Sequence, residues 1–267
     1  MKIYIPSYKR YNAVSGGTLK WIPKGLYKDV VMIVRQEEQD WYIKCLRWAI
    51  DHGLYVHPIE SVTGIADTRR VIGLIAESMG EFNFCTMDDD VCFATRKSEE
   101  VTNLRPSEAV DMIDMLCELD RQTQSYAQVG ISLRQGNNNV GFGPKPLLQE
   151  NTRAIRVCAF QTMPFNRCEH GRVRVMEDID VSLQLLSRGY KNAVLYHWAQ
   201  DQKETNAPGG CSTWRTHEVH EEAAVKMSEL WPGICTLRDK VNKTGGSFGS
   251  RKEITVQWKK AYRENNA

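Results

Sequence analysis

Three aspartates in a row, Asp88, Asp89 and Asp90, follow directly on the apolar run FNFCTM at residues 82–87. Adjacent carboxylates repel one another, so the cluster is unfavourable unless solvent or a cation offsets its charge. Hard divalent cations such as Mg²⁺ and Mn²⁺ take oxygen ligands and leave positions open for substrate phosphates. A solvated acidic turn needs no apolar lead-in. A strand ending in three carboxylates places them where open α/β sheets bind ligands, and the expectation is metal binding.

A second acidic group, Glu177, Asp178 and Asp180, opens the segment VMEDIDVSLQLLSRGY. Acids in a first helical turn favour the macrodipole, but three in four positions exceed what capping needs. A carboxylate there could act as a general base, a role typically contributing about 10²–10⁴-fold in rate. His197, in LYHWAQDQ, is expected at a strand end and is either a core residue or a metal ligand.

Other motifs fail on spacing. His217, Glu218 and His220 read H-E-V-H, one residue short of the zinc-protease pattern H-E-x-x-H. Cys158, Cys168 and His170 lack paired zinc spacing. No GxSxG, P-loop or GxGxxG occurs.

The elements that must position these groups alternate. Strands are predicted at residues 3–6, 30–34, 54–59 and 82–87, and helices over 37–50 and 64–79. The second helix is expected to bury Ile65, Ile72, Leu74, Ile75 and Met79. This is the pattern of βαβ units, a mostly parallel sheet and crossover helices. Further on, helices are predicted over 106–119, 176–188 and 216–230, the last capped by Thr216, with strands over 126–133, 154–161 and 193–198. RQGNNNVGFGPKP reads as a surface loop and NAPGGCST as a turn.

The chain has 267 residues, 42% hydrophobic and 25% charged, which excludes a disordered chain and a small disulfide scaffold. No apolar run approaches the roughly 18 residues needed to span a bilayer, and the N-terminus has no signal-peptide core. The eight cysteines form no CxxC pair and read as reduced thiols in a cytoplasm. Net charge is +2, unevenly divided: residues 1–28 hold six Lys/Arg and no acid, and 238–267 hold eight against three acids. Basic ends around an acidic centre suggest a polyanionic partner and bound cations.

Together these segments resemble nucleotide-sugar glycosyltransferases of the GT-A fold, a Rossmann-like α/β architecture. IYIPSYKR is similar to that family's opening strand and nucleoside-binding turn, and GIADTRRVIGLIAES to its helix before the central strand. FCTMDDDVCF resembles its DxD motif, MEDIDVSLQLLSRGY its base-carrying segment, and LYHW its late metal-ligating histidine. The remainder, GGCSTWRTHEVHEEAAVKMSELWPG and the basic tail, resembles the bacteriophage TET-associated glycosyltransferases, which modify hydroxymethylated pyrimidines in DNA.

The resemblance implies a catalytic domain over residues 1–198 and an acceptor-binding extension of the same domain over 199–267. Pro6, Ser7 and Tyr8 would border the nucleoside and Arg10 the pyrophosphate. Asp67 with Arg69 or Arg70 would contact the nucleotide. Asp88 would approach the ribose, beside Asp89, and Asp90 would hold Mn²⁺ or Mg²⁺, with Asp88 and His197 as further ligands. Asp178, or Asp180 in its place, would be the base, and Glu177 would bind hydroxyls. The implied donor is a UDP-sugar and the implied reaction inverting, through an oxocarbenium-like transition state. For a DNA acceptor, Arg215, Arg251, Lys252, Lys259, Lys260 and Arg263 would track phosphates, and Trp214 or Trp258 would stack. Packing in a short strand is the plainer role for Trp258. Three other readings stand beside this one: a polysaccharide, lipid or protein acceptor; a non-catalytic DNA-binding protein; and a metal-dependent nuclease or phosphoryl-transfer enzyme.

Overall fold

The computed structural model describes all residues except 61, 63, 99–102, 140–146, 203–208, 214, 241–250 and 264–267. The continuous apolar runs of the first third become adjacent strands: β1 (Lys2–Pro6), β2 (Val30–Arg35), β3 (Tyr55–Ile59) and β4 (Asn83–Met87). They pair in parallel in the order β3-β2-β1-β4. Helices α1 (Gln39–Cys45), α2 (Arg47–Ile50) and α3 (Gly64–Ser78) lie between them. The single helix expected over 37–50 is thus two, broken at Leu46, whose backbone leaves helical geometry with ψ 13°.

The rest of the chain adds β5 (Val91–Arg96), β6 (Leu104–Pro106), α4 (Ala109–Gln122), β7 (Gln128–Leu133), β8 (Leu148–Glu150), β9 (Val157–Gln161), α5 (Thr162–Asn166), α6 (Glu177–Ser187) and β10 (Asn192–Gln202). The sheet continues β4-β9-β7-β10-β5-β6, with β8 also on β10. Strand β9 is antiparallel to β4 and β7, β10 is parallel to β7, and β5 and β8 oppose β10. Seven of the ten strands therefore point one way, and β5, β8 and β9 the other.

Alternation along β1 sets the two layers. Ile3 and Ile5 face a core completed by Tyr42, Leu46, Met112 and Met115 from α1, the α1–α2 junction and α4. Tyr4 faces the other, with Phe84, Ile72, Phe165 and Leu185. On α3 the buried residues are Ala66, Thr68, Ile72, Gly73 and Ala76, while Leu74 and Met79 are 47% and 68% exposed. The expected face is corrected by close packing on α5. A Cβ on Gly73 would lie 2.7 Å from the Phe165 ring, so the small residues of α3 must point inward.

The C-terminal elements are α7 (His217–Leu230), capped by the Thr216 side chain, the hairpin β11 (Cys235–Lys240) and β12 (Arg251–Val256), and α8 (Trp258–Arg263). They form a third core with α6, from Ile179, Leu183, Leu186, Ala224, Met227, Ile254 and Ala261. Trp258 starts α8 rather than lying in a strand, and packs against this core. No helix among the described residues is long and apolar enough to cross a membrane.

Candidate active site

The C-terminal ends of β1, β2, β3, β4 and β10 open into one cleft of roughly 780 Å³. Each apolar strand surrenders its last residues to this edge. Pro6, Ser7 and Tyr8 come from β1, Arg35 from β2, Asp88, Asp89 and Asp90 from β4, and Gln202 from β10. Glu177 and Asp178, in the first turn of α6, face them.

The aspartate turn is clamped by a distant segment. The Thr18 backbone N–H donates to the Asp89 carbonyl at 2.9 Å and its hydroxyl to the Asp88 carbonyl at 2.5 Å. The Val91 N–H donates to the same hydroxyl at 2.9 Å. Before it stands Gly17, where a Cβ would lie 2.0 Å from the Asp89 carbonyl oxygen. Only glycine permits that approach.

Two arginines cross-link the carboxylates. Arg10 Nη1 donates to Asp89 at 2.6 Å and to Asp90 at 2.8 Å. Arg69 donates through Nη2 to Asp88 at 2.8 Å and through Nη1 to Glu177. Ser7 donates to Asp89 at 2.5 Å, and Gln202 donates to Asp90 at 2.8 Å. Arg156 lines the same edge and also acts on Asp88. Burial pushes Asp89 up to about 6 against the pull of Arg10, and Glu177 up to about 7 against the pull of Arg69. Asp88 is raised by burial too. Burial opposes the charge of Arg10 and Arg69, but their acidic neighbours hold both above the ordinary range. The carboxylates crowd one edge of the cleft, and a cation beside them would relieve their mutual repulsion.

Chain geometry separates the acids of α6. Met176, the residue before the helix, is left-handed at φ 67°. Asp178 lines the cleft, and its Oδ1 accepts the Ile179 N–H at 2.9 Å. Asp180 points away from it. Its carboxylate accepts from Arg172 at 2.5 and 2.9 Å, from Gln184 at 3.0 Å and from the Trp231 indole at 2.8 Å. At 2% exposed it is a structural anchor, and the alternative base is corrected on that ground.

His197 does not line the cleft either. The strand expected to stop at residue 198 runs to Gln202, pairing Trp198 with Thr95 and Gln202 with Val91. His197 is therefore mid-strand, within an irregularity between Leu195 and Ala199, and packed on Trp198. Gln202 holds the strand-end place beside Asp90 instead. Polar residues ended the predicted strand too early, because Gln200 is buried inside the sheet with its amide on the Ile155 carbonyl at 3.3 Å.

Arg69 lines the cleft, whereas Asp67 and Arg70 meet each other at 3.4 Å outside it. Arg215 and Arg251 line the opposite wall, and so does Trp258. Lys252 is exposed off the cleft, its backbone N–H on Glu221 at 2.8 Å. Lys260 donates to the Gly233 carbonyl at 3.1 Å, also off the cleft, with Lys259 exposed beside it. Trp214 and the side chain of Arg263 lie outside the described residues, as does much of the expected 134–146 loop and 206–213 turn.

Sequence reasoning missed the rest of that wall. Arg238, Lys240 and Arg251 converge on Glu253 at 3.1, 3.2 and 3.0 Å, and all four line the cleft. Alternate residues of two paired strands share a face, so the run R-D-K at 238–240 and R-K-E at 251–253 carried the signal once the hairpin was seen.

Residues 1–210 match the profile of the TET-associated glycosyltransferases. The Beta-glucosyl-HMC-alpha-glucosyl-transferase of Enterobacteria phage T6 is 22% identical over 249 residues, 87% of this chain and 81% of that one. Its phage T2 namesake is 29% identical over 63 residues, 24% and 22% of the two chains. Staphylococcus aureus TarS 1–349, solved with UDP-GlcNAc, superposes with a TM-score of 0.52 at 13% identity, over 85% of this chain and 67% of that one. The mannosyltransferase PcManGT of Pyrobaculum calidifontis, solved with GDP-Man and Mn²⁺, also gives 0.52 at 13%, over 86% and 63%. These likenesses are of fold, and the fold is GT-A. With its profile match spanning the strands, the aspartate turn and the acidic helix that build the cleft, the chain belongs to the TET-associated glycosyltransferase family.

Proposed function

We propose that the protein transfers a sugar from a UDP-sugar to the hydroxyl of a hydroxymethylated pyrimidine in DNA, with inversion. The observation that carries the reading is that Asp88, Asp90 and Asp178 line one cleft, with Arg69 bridging Asp88 to Glu177. Strand-end carboxylates on one side and a helix-borne carboxylate on the other leave a gap for an activated sugar. Residues 1–198 supply the donor side, and residues 199–267 add the acceptor wall.

The donor set suits Mn²⁺ or Mg²⁺ in one way. Among the described residues no three His, Cys, Asp or Glu side chains gather to hold an ion by themselves. Mg²⁺ is commonly held by one or two carboxylates plus substrate phosphates. Asp88 and Asp90 would hold the ion, and the diphosphate would complete its ligands. When bound, such an ion supplies Lewis-acid charge at the leaving diphosphate. Arg10 and Arg69 keep the carboxylates aimed. Asp178 takes the proton of the acceptor hydroxyl as its oxygen attacks the anomeric carbon, and UDP departs from the opposite face. Glu177, fixed by Arg69, is placed to hold a hydroxyl of the sugar or acceptor.

Arg215, Arg238, Lys240 and Arg251 outnumber Glu253 on the facing wall, which supports a phosphodiester acceptor. The acids sit within the cleft, so a base would reach them flipped out of its duplex. The phage relatives point to a host cytoplasm as the place of action. The name of the T6 relative favours a second acceptor, a hydroxyl on glucose already attached to HMC.

Mass analysis of nucleosides after treatment with UDP-glucose or UDP-GlcNAc and Mn²⁺ tests the reading. One added hexose or N-acetylhexosamine on hydroxymethylated DNA is expected. Addition only to pre-glucosylated DNA selects the second acceptor. No sugar transfer, together with nicking of plain DNA, would replace both with a nuclease.

A further inference from the structure

A second groove opens beside the cleft, between β8 and α8, with a volume of roughly 920 Å³. Residues 148–152 form one side and residues 257–260 the other. It meets the cleft at two places. Trp258 lines both, and Thr152 in the groove is followed directly by Arg153 in the cleft. Helix α8 also shares a core with α6, where Trp258, Ala261 and Tyr262 pack with Ile179, Leu183 and Leu186. The helix that carries Asp178 therefore supports one side of the groove.

An acceptor that is a chain needs such an opening. A nucleotide whose hydroxyl reaches Asp178 stays bonded through its phosphates to its neighbours, and those neighbours must leave the cleft. The groove has the chemistry to receive them. Lys259 is exposed and Lys260 half-buried on the α8 side, beside the exposed amide of Gln257. On the β8 side the Gln149 Oε1 accepts the Tyr196 hydroxyl at 3.2 Å, which leaves its amide N–H₂ group to donate elsewhere. Glu150, the acid of this wall, is already engaged: it accepts the Tyr126 hydroxyl at 2.7 Å and the Lys191 ammonium at 3.2 Å. What the groove offers a passing chain is therefore ammonium groups and amide donors, which suit phosphate oxygens.

We propose that this groove carries the strand that flanks the acceptor nucleotide: the strand leaves the cleft between Arg153 and Trp258, and its phosphates run past Lys259 and Lys260. The assignment rests on the DNA-acceptor reading above and gives that acceptor a path. It makes transfer depend on the length of the acceptor, because a short oligonucleotide fills the cleft without entering the groove. Basic grooves that track a single strand hold about 4–16 nucleotides, which sets the lengths to compare.

Initial rates of transfer by the full chain to single-stranded hydroxymethylated oligonucleotides of about 3 and about 12 nucleotides test it, with UDP-glucose or UDP-GlcNAc and Mn²⁺. The wild type is expected to show a KM at least about tenfold lower for the longer acceptor. Gln257 and Lys259 are both exposed, so Gln257→Glu with Lys259→Glu changes the charge of the groove and spares the third core. That variant is expected to raise the KM for the longer acceptor by about tenfold, with the KM for the shorter one and kcat on both within about twofold of wild type. A wild type with no preference for length overturns the assignment, and so does a variant that keeps the preference. Equal losses on both lengths overturn it too, by making these residues props of the cleft. Length dependence with an oligosaccharide acceptor in place of DNA replaces the polynucleotide by a glycan strand. A wild type that modifies no DNA of either length sinks the acceptor reading itself, and the role of the groove with it.

Discussion

The two walls of the cleft are built from opposite charge and opposite architecture. The aspartate turn lies at the end of a central strand, held in the sheet between β1 and β9, and its acids are cross-linked by Arg10 and Arg69. The hairpin wall hangs on a separate core shared with α6, and its cations outnumber Glu253. The first wall is buried enough to raise Asp88, Asp89 and Glu177, whereas Arg238 is largely exposed. The first also lies within the stretch matching the family, and the hairpin beyond it. Under the proposed function this difference is a division of labour: the carboxylates that would face the donor diphosphate stand on the sheet edge, the proposed base stands on the helix between the two cores, and the cations that would meet a polyanion through long-range charge sit on the hairpin.

The largest test of this division is Asp178→Asn. Turnover measured as UDP release should fall about 10²–10⁴-fold while UDP affinity stays within about twofold. Preserved turnover would move the base to another residue. Next is the hairpin. Arg238→Glu with Lys240→Glu should weaken DNA binding by about 10–100-fold and flatten its salt dependence, with the KM for the UDP-sugar unchanged. A shift in that KM, with DNA affinity intact, would erase the distinction between the walls. Gly17→Ala should cost about 1–3 kcal/mol in urea unfolding and displace the aspartate turn. A variant as stable as wild type would show that the clamp yields.

The smallest effect is in pH. Glu177 is raised to about 7, so the folded chain binds a proton there that the unfolded chain has released above about 4.5. Its contribution favours folding at low pH and is lost as pH rises through 7. His220, lowered to about 4 by burial and by Arg215 and Arg251, acts in the opposite sense, but below 6.5. Between pH 6.5 and 8 the melting temperature should therefore decline, and Glu177→Gln should flatten the decline. An unchanged slope in that variant would remove Glu177 as its source.

What could be read from the sequence follows the same split. The runs before Pro6, Arg35 and Asp88 are continuous and apolar because β1, β2 and β4 are buried on both faces, and their ends mark the cleft. The hairpin was invisible because β11 is exposed along most of its length and has no apolar alternation. The end of β10 was misplaced because Gln200 is satisfied inside the sheet, which composition does not show. The acids of α6 look equivalent in sequence. Only the tertiary partners of Asp180, Arg172 and Trp231, separate it from Asp178. The resemblance implies Arg10 at the pyrophosphate and Arg69 or Arg70 on the nucleotide, whereas in this structure Arg10 binds Asp89, Asp90 and the Gly209 carbonyl and Arg69 binds Asp88 and Glu177.

The contact of Gly17 and Thr18 with the backbone of residues 88–91 has a practical corollary for anyone recombining this chain with a homologue. The excursion between the first two strands and the acidic turn about seventy residues later are interlocking parts. A crossover point placed between them would mate a foreign latch with a native catch, so a hybrid must inherit both from one parent.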